Sequence, residues 1–162
     1  VASAVRIPIA TGERLTTKAE FSAVLRDGAA TILQPALGRS GGILETKKIA
    51  AIAEVHNAQI APHLYAGSVE WAANIQLAVN IPNILMAETI LTGCGFAGDL
   101  INNSIVWEDG FILAPSEPGL GIEFNEELAR SNPYKENRLH LEMQDESCDY
   151  KNGNSFIGGS SD

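Results

Sequence analysis

The sequence predicts an α/β fold: about four consecutive βα units, followed by a segment that carries a β-hairpin. Three observations lead there. Short apolar runs alternate with stretches of helical periodicity through residues 1–90, the pattern of parallel βαβ units. The runs end at Glu13, Ala36, His63 and Glu88, so only the second tip lacks an ionisable group. In consecutive βα units every strand points its C-terminal end at the same face, which brings distant residues to one site.

The elements follow in order. Arg6 to Thr11 is a short apolar run closed by Gly12, and it predicts a buried strand. Thr16 or Thr17 caps the next helix, because Glu20 stands three residues beyond Thr17 in the capping-box pattern. Phe21, Val24 and Leu25 fall at helical spacing, and Asp27-Gly28 ends the element. Thr31 to Pro35 is the second strand, and the glycine-rich turn Leu37 to Gly42 follows it. A helix runs from Ile43 to about His56, with Ile43, Ile49, Ile52, Ala53 and Val55 as its apolar positions. Gln59 to Leu64 is the third strand. Ser68 caps a helix through Trp71, Ile75, Leu77 and Val79, broken at Pro82-Asn83. Ile84 to Glu88 is the fourth strand.

The pattern changes after Glu88. Leu91 to Asn103 is glycine-interrupted and predicts no defined element throughout. Ser104–Trp107 and Phe111–Leu113 flank Glu108-Asp109-Gly110, a hairpin signature with Gly at the turn. Pro115 to Gly121 is a loop, Asn125 caps a short helix through Leu128, and Arg138 to Met143 reads as a strand. Lys151 to Asp162 is rich in Asn, Gly and Ser and predicts a flexible tail. The predicted organisation is residues 1–90 as βα units, 91–150 as the hairpin segment and 151–162 as the tail.

Composition narrows the function classes. The chain has 162 residues, 45% of them hydrophobic, enough for a core. A net charge of -9 argues against nucleic acid and anionic membrane partners. No window approaches the roughly 20 apolar residues of a membrane span. Cys94 and Cys148 have no metal-site spacing and predict free thiols in a reducing, cytoplasmic setting. The chain opens Val1-Ala2-Ser3-Ala4 without an initiator Met or a signal-peptide pattern, which points to a fragment or a processed chain.

The motifs TGER (11–14), QPALGRSGG (34–42), APHLYAG (61–67), NILMAE (83–88) and DGFILAPSEPGLGIEF (109–124) stand in that order. Each is weak alone, while their order and spacing are specific. From about Arg6 to Tyr134 the chain resembles the C-terminal part of the enolase superfamily. It is most similar to the mandelate racemase/muconate lactonizing enzyme subgroup, and within it to galactonate dehydratase-like acid-sugar dehydratases. The resemblance implies the C-terminal half of a (β/α)8 TIM-type barrel, plus a segment that would pack on a capping domain. It implies Mg²⁺ held by three carboxylates on successive strands, and abstraction of a proton α to a carboxylate through an enediolate. By the same resemblance Glu13 is the third metal ligand, at barrel strand five. His63 is the strand-seven base or acid, and Glu88 the strand-eight partner of the substrate carboxylate and enediolate. The other two ligands, the strand-two acid/base groups and the cap would precede Val1, since a barrel takes about 250 residues.

The residues admit these roles on their own chemistry. A strand-end carboxylate such as Glu13 can ligate a hard cation, with a solvated pair to Arg14 as the plain alternative. An imidazole such as His63 titrates near neutral pH and suits proton transfer; a structural contact to a loop carbonyl is the alternative. Arg39 offers bidentate contact to a substrate carboxylate, or is simply a surface arginine. One departure stands out. The related pattern is usually QPD, its Asp fixing the histidine tautomer, whereas Gln34-Pro35-Ala36 puts a methyl group there. Either His63 has another partner, or it is a weaker base, or the reaction differs. Gly38, Gly41 and Gly42 are turn glycines, since GRSGG lacks a phosphate-cradle motif. His56 and His140 predict surface or packing roles, and Trp71 and Trp107 core or interface roles.

Two function classes stay open. One is a Mg²⁺-dependent acid-sugar dehydratase, with a racemase or epimerase of the same superfamily as near alternative. The other is a non-catalytic, self-associating fold fragment. With one metal carboxylate, the isolated chain is expected to bind Mg²⁺ weakly or not at all, to be inactive, and to form a homo-oligomer that covers its open sheet edges.

Overall fold

The computed structural model describes residues 1–89 and 95–133. The chain divides into two compact units, the first spanning Val1–Ile90 and the second beginning at Leu91.

The first unit is a run of βα units. Strand β1 (Ala10–Thr11) leads to helix α1 (Lys18–Arg26), β2 (Ile32–Leu33) to α2 (Gly42–Val55), and β3 (Gln59–Ile60) to α3 (Ser68–Ala78). The strands form one parallel sheet in the order β1-β2-β3, with Ala10 opposite Ile32 and Ile32 opposite Gln59. A parallel bridge between Ala36 and His63 continues the pairing toward the strand tips. The fourth predicted strand is reduced to one bridge, Ile60 to Ile84. There Ile60 N–H donates to Asn83 O at 2.9 Å and Leu85 N–H to Ile60 O at 2.8 Å. Asn83 ties this stretch down: its side-chain amide donates to Ala50 O at 3.0 Å and Ala58 O at 3.1 Å.

The first strand also departs from expectation. Both residues of β1 are exposed, and Ile7 before it is 70% exposed. The apolar run predicted a buried strand, but β1 is a sheet edge with β2 as its one paired neighbour, so half of its backbone and its flanking side chains stay open.

Helix α1 begins as the capping box predicts, with Thr17 rather than Thr16 as the cap. Thr17 N–H donates to the Glu20 carboxylate at 2.8 Å, and Glu20 N–H returns to Thr17 Oγ1 at 3.3 Å. Phe21 and Leu25 are buried, Val24 half-buried. In α2 the buried stripe is Thr46, Ile49, Ala50 and Ala53, one helical face at i, i+3, i+4, i+7. Ile43 and Val55, which composition alone placed among the apolar positions, point outward. Helix α3 starts one residue earlier than its serine suggested. The cap is Gly67, extended, and Ser68 is the first helical residue and buried. Trp71, Ile75 and Leu77 join the core, while Val79 is the exposed C-cap. Helix α2 packs against α1, α3 and β3. Leu33, Ile60 and Leu64 complete the buried layer beneath the strand tips.

In the second unit, helix α4 (Gly95–Asp99) forms within the glycine-interrupted stretch. Strands β4 (Trp107–Glu108) and β5 (Phe111–Ile112) pair antiparallel, Trp107 opposite Ile112. Asp109 (φ 48°) and Gly110 (φ 85°) occupy the turn. Positive φ at both central positions is the two-residue turn whose twist matches a hairpin. Helix α5 (Glu126–Ser131) is capped by the Asn125 side chain, which accepts from Leu128 N–H at 3.0 Å. The readings for Cys94, Arg138 to Met143, His140, Cys148 and Lys151 to Asp162 lie outside the described residues. Among those that are described, no helix is long and apolar enough to cross a membrane.

Candidate active site

The tips of the first unit's strands carry the site. Beyond β1, Gly12 has φ of 133°, and a Cβ there would lie 2.6 Å from the Phe21 ring. Glycine is therefore required twice over, for the backbone angle and for the space. It lets the chain cross the buried phenyl ring and leaves Glu13 at the tip, its side chain 58% exposed.

Beyond β3, His63 N–H donates to Pro35 O at 3.1 Å, which fixes the histidine backbone against the QPA segment. Its side chain is mostly enclosed, 20% exposed. The Nδ1 atom lies 2.9 Å from Glu88 Oε2, and Glu13 Oε2 lies 3.8 Å from the same nitrogen. The first is an ion-pair distance within hydrogen-bond range and the second a longer electrostatic approach. Glu88 is held in turn by Leu64 N–H, which donates to Oε2 at 2.7 Å. An ionised carboxylate only accepts, so a hydrogen bond at this contact would come from Nδ1–H and, in the neutral ring, leave the lone pair on Nε2. The partner that Ala36 cannot be is thus Glu88, reaching His63 from the next tip. Ala36 is buried beside the histidine backbone, across the parallel bridge.

Glu13, Arg39, His63, Tyr65, Ala66 and Glu70 line one cavity of about 440 Å³. No acidic side chain of the described residues pairs with the Arg39 guanidinium, which leaves it available to a ligand anion. Glu13, His63 and Glu88, separated by up to 75 positions in sequence, converge, and Arg39 joins them at the cavity wall. Tyr65 and Glu70 were not foreseen. Tyr65 lies past β3 and past the predicted third strand, and Glu70 in the first turn of α3, so neither carries a local signal.

The donor set does not by itself make a Mg²⁺ site. Mg²⁺ demands near-octahedral oxygen coordination, and Glu13 is one oxygen donor beside an imidazole already committed to Glu88. Among the described residues no group of three or more His, Cys, Asp or Glu side chains could hold a metal ion.

Comparison with known proteins places this geometry. The family model Enolase C-terminal domain-like matches residues 1–128. The chain is 39% identical over 133 residues to a D-galactonate dehydratase of Variovorax paradoxus, covering 78% of this chain and 35% of the relative. It is 36% identical over 134 residues to one of Pectobacterium atrosepticum, covering 79% and 35%. Among solved structures, a mandelate racemase/muconate lactonizing enzyme from Sulfitobacter sp. superimposes with a TM-score of 0.80 at 69% identity, covering 92% of this chain and 37% of that one. A mandelate racemase/muconate lactonizing enzyme-like protein from Roseovarius sp. TM1035 does so at 0.80 and 68%, covering 93% and 37%. The chain thus spans about a third of the length of the curated relatives it matches. Its parallel βα units are part of a TIM-barrel-like domain. The chain belongs to the Enolase C-terminal domain-like family, and so to the enolase superfamily in its mandelate racemase/muconate lactonizing enzyme branch.

Proposed function

We propose that these residues form part of the catalytic barrel of a Mg²⁺-dependent acid-sugar dehydratase. The observation that carries the reading is the His63 imidazole, held through Nδ1 by Glu88 at 2.9 Å and lining one cavity with Glu13 and Arg39. The relatives named D-galactonate dehydratase favour a sugar acid as substrate.

In this reading Arg39 holds the substrate carboxylate by bidentate contact. His63 Nε2 takes the proton from C2, and the C–H electron pair moves into the carboxylate as an enediolate. The C3–O bond then breaks, the hydroxide leaves as water with that proton, and the enol tautomerises to a 2-keto-3-deoxy acid. Glu88 orients His63 and faces the substrate carboxylate. Glu13 is proposed as one Mg²⁺ ligand, the other ligands not being among the described residues. For that reason the 162 residues alone are proposed to be inactive.

The test is incubation of the protein carrying this chain with Mg²⁺ and a panel of sugar acids, galactonate included, with detection of 2-keto-3-deoxy acids. Exchange of the α-hydrogen with deuterated solvent without dehydration would instead indicate a racemase or epimerase. Neither reaction with any sugar acid would defeat the enzymatic reading. The open β1 edge favours a second reading for the isolated chain, self-association without catalysis.

A further inference from the structure

The Gly38-Arg39 turn has an anchor outside its own loop. Glu70, on α3, accepts from Gly38 N–H through Oε1 at 3.0 Å, across thirty-two positions of sequence. The space at Gly38 is occupied by the same carboxylate: a Cβ there would lie 2.5 Å from Glu70 Oε2. Gly38 does not adopt a positive φ, so its backbone suits any residue. A side chain at 38 would have to displace the Glu70 carboxylate, whatever the backbone conformation allows. Glu70 forms no ion pair with Arg39 among the described residues, although both line the cavity. It therefore grips the turn by its backbone and leaves the neighbouring guanidinium uncommitted.

We propose that Glu70 is a positioning residue for substrate binding: by gripping Gly38 N–H from α3, it sets Arg39 at the cavity wall to take a carboxylate. The inference rests on the proposed reading that the cavity takes a sugar acid. Glu70 acts as a hydrogen-bond acceptor, and its charge is incidental. A glutamine keeps the acceptor in the same place, whereas an alanine removes it. An alanine at position 38 pushes Glu70 away and should mimic its loss.

The experiment is calorimetric binding of the same panel of sugar acids, galactonate included, to the protein carrying this chain, together with steady-state kinetics on the one that binds. Glu70→Ala should weaken binding and raise KM about tenfold with kcat within about twofold, the effect of one lost hydrogen bond. Glu70→Gln should bind within about twofold of wild type, and Gly38→Ala should match Glu70→Ala. Glu70→Ala combined with Arg39→Ala should bind no worse than Arg39→Ala alone, because the two act through one contact. Equal losses in Glu70→Gln and Glu70→Ala, or additive losses in the double variant, would overturn the positioning role. If Glu70→Ala does not fold, Gly38→Ala and Glu70→Gln decide the matter by the same criteria. Wild type that binds a sugar acid of the panel while dehydrating none overturns the dehydratase reading and leaves the binding comparison to judge Glu70. Wild type that binds no sugar acid of the panel overturns both.

Discussion

At the scale of single residues, the site depends on where one proton sits. Glu88 accepts from Leu64 N–H and lies 2.9 Å from His63 Nδ1; in the proposed reading the second contact keeps the imidazole lone pair on Nε2. A Glu88→Gln side chain can donate as well as accept, so it no longer selects one tautomer. In the active protein we expect kcat to fall about 10²-fold, while His63→Asn costs on the order of 10²–10⁴-fold, the range of general acid–base groups. Steady-state assays check both. An unchanged kcat in Glu88→Gln would remove Glu88 from the orienting role. That Glu13 and His63 would face one cavity was legible because each closes an apolar run, and parallel strands aim such closures at one face. The pairing of His63 with Glu88 was not, because it depends on how far a bridge at Ile84 carries the fourth tip. Glu70 was also hidden, since nothing in its local sequence separates it from other first-turn helix carboxylates.

At the scale of elements, α1 and its neighbour α2 carry the clearest energetics. Thr17→Ala removes one half of the capping box and should cost about 1 kcal/mol, seen as a lower midpoint in urea unfolding. Phe21→Ala should cost about 3–5 kcal/mol, because the ring is fully buried under Gly12. The same two helices set the response to acid. Backbone hydrogen bonding from Thr16, then the Thr17 hydroxyl and amide, hold Glu20 down from 4.5 to about 2. Lys18, at 2.8 Å across the helix pair, and Lys48 hold Glu45 down from 4.5 to about 2. Lowered carboxylates stabilise the fold above their unfolded value, and that contribution is lost as pH falls from about 4.5 toward 2. The unfolding midpoint should therefore drop across that window, and the drop should be shallower in a Glu20→Gln, Glu45→Gln double variant. Identical slopes would show that these exposed carboxylates do not matter to acid stability. The capping box was readable from Thr17 and Glu20 alone because it is a four-residue motif. The buried face of α2 was not fully so, since Ile43 and Val55 are as apolar as Ile49 and only packing separates them.

At the scale of the whole molecule, the open β1 edge and the one metal ligand proposed among the described residues, Glu13, lead to two outcomes for the isolated 162 residues. Size-exclusion chromatography with light scattering should find a dimer or larger species; a stable monomer would refute self-association. Titration with Mg²⁺ should find no tight stoichiometric site, and tight binding would mean that this chain holds a working centre unaided. The order of elements and their parallel alternation were written in local patterns of apolar residues, glycines and caps, since those patterns depend on neighbours a few positions apart. Which strand became an edge, which carboxylate met the histidine, and which helix gripped the arginine turn depended on residues 24 to 32 positions apart or more. Only the packed chain sets those distances, because a linear pattern fixes which face a side chain takes and not how far across the cavity it reaches.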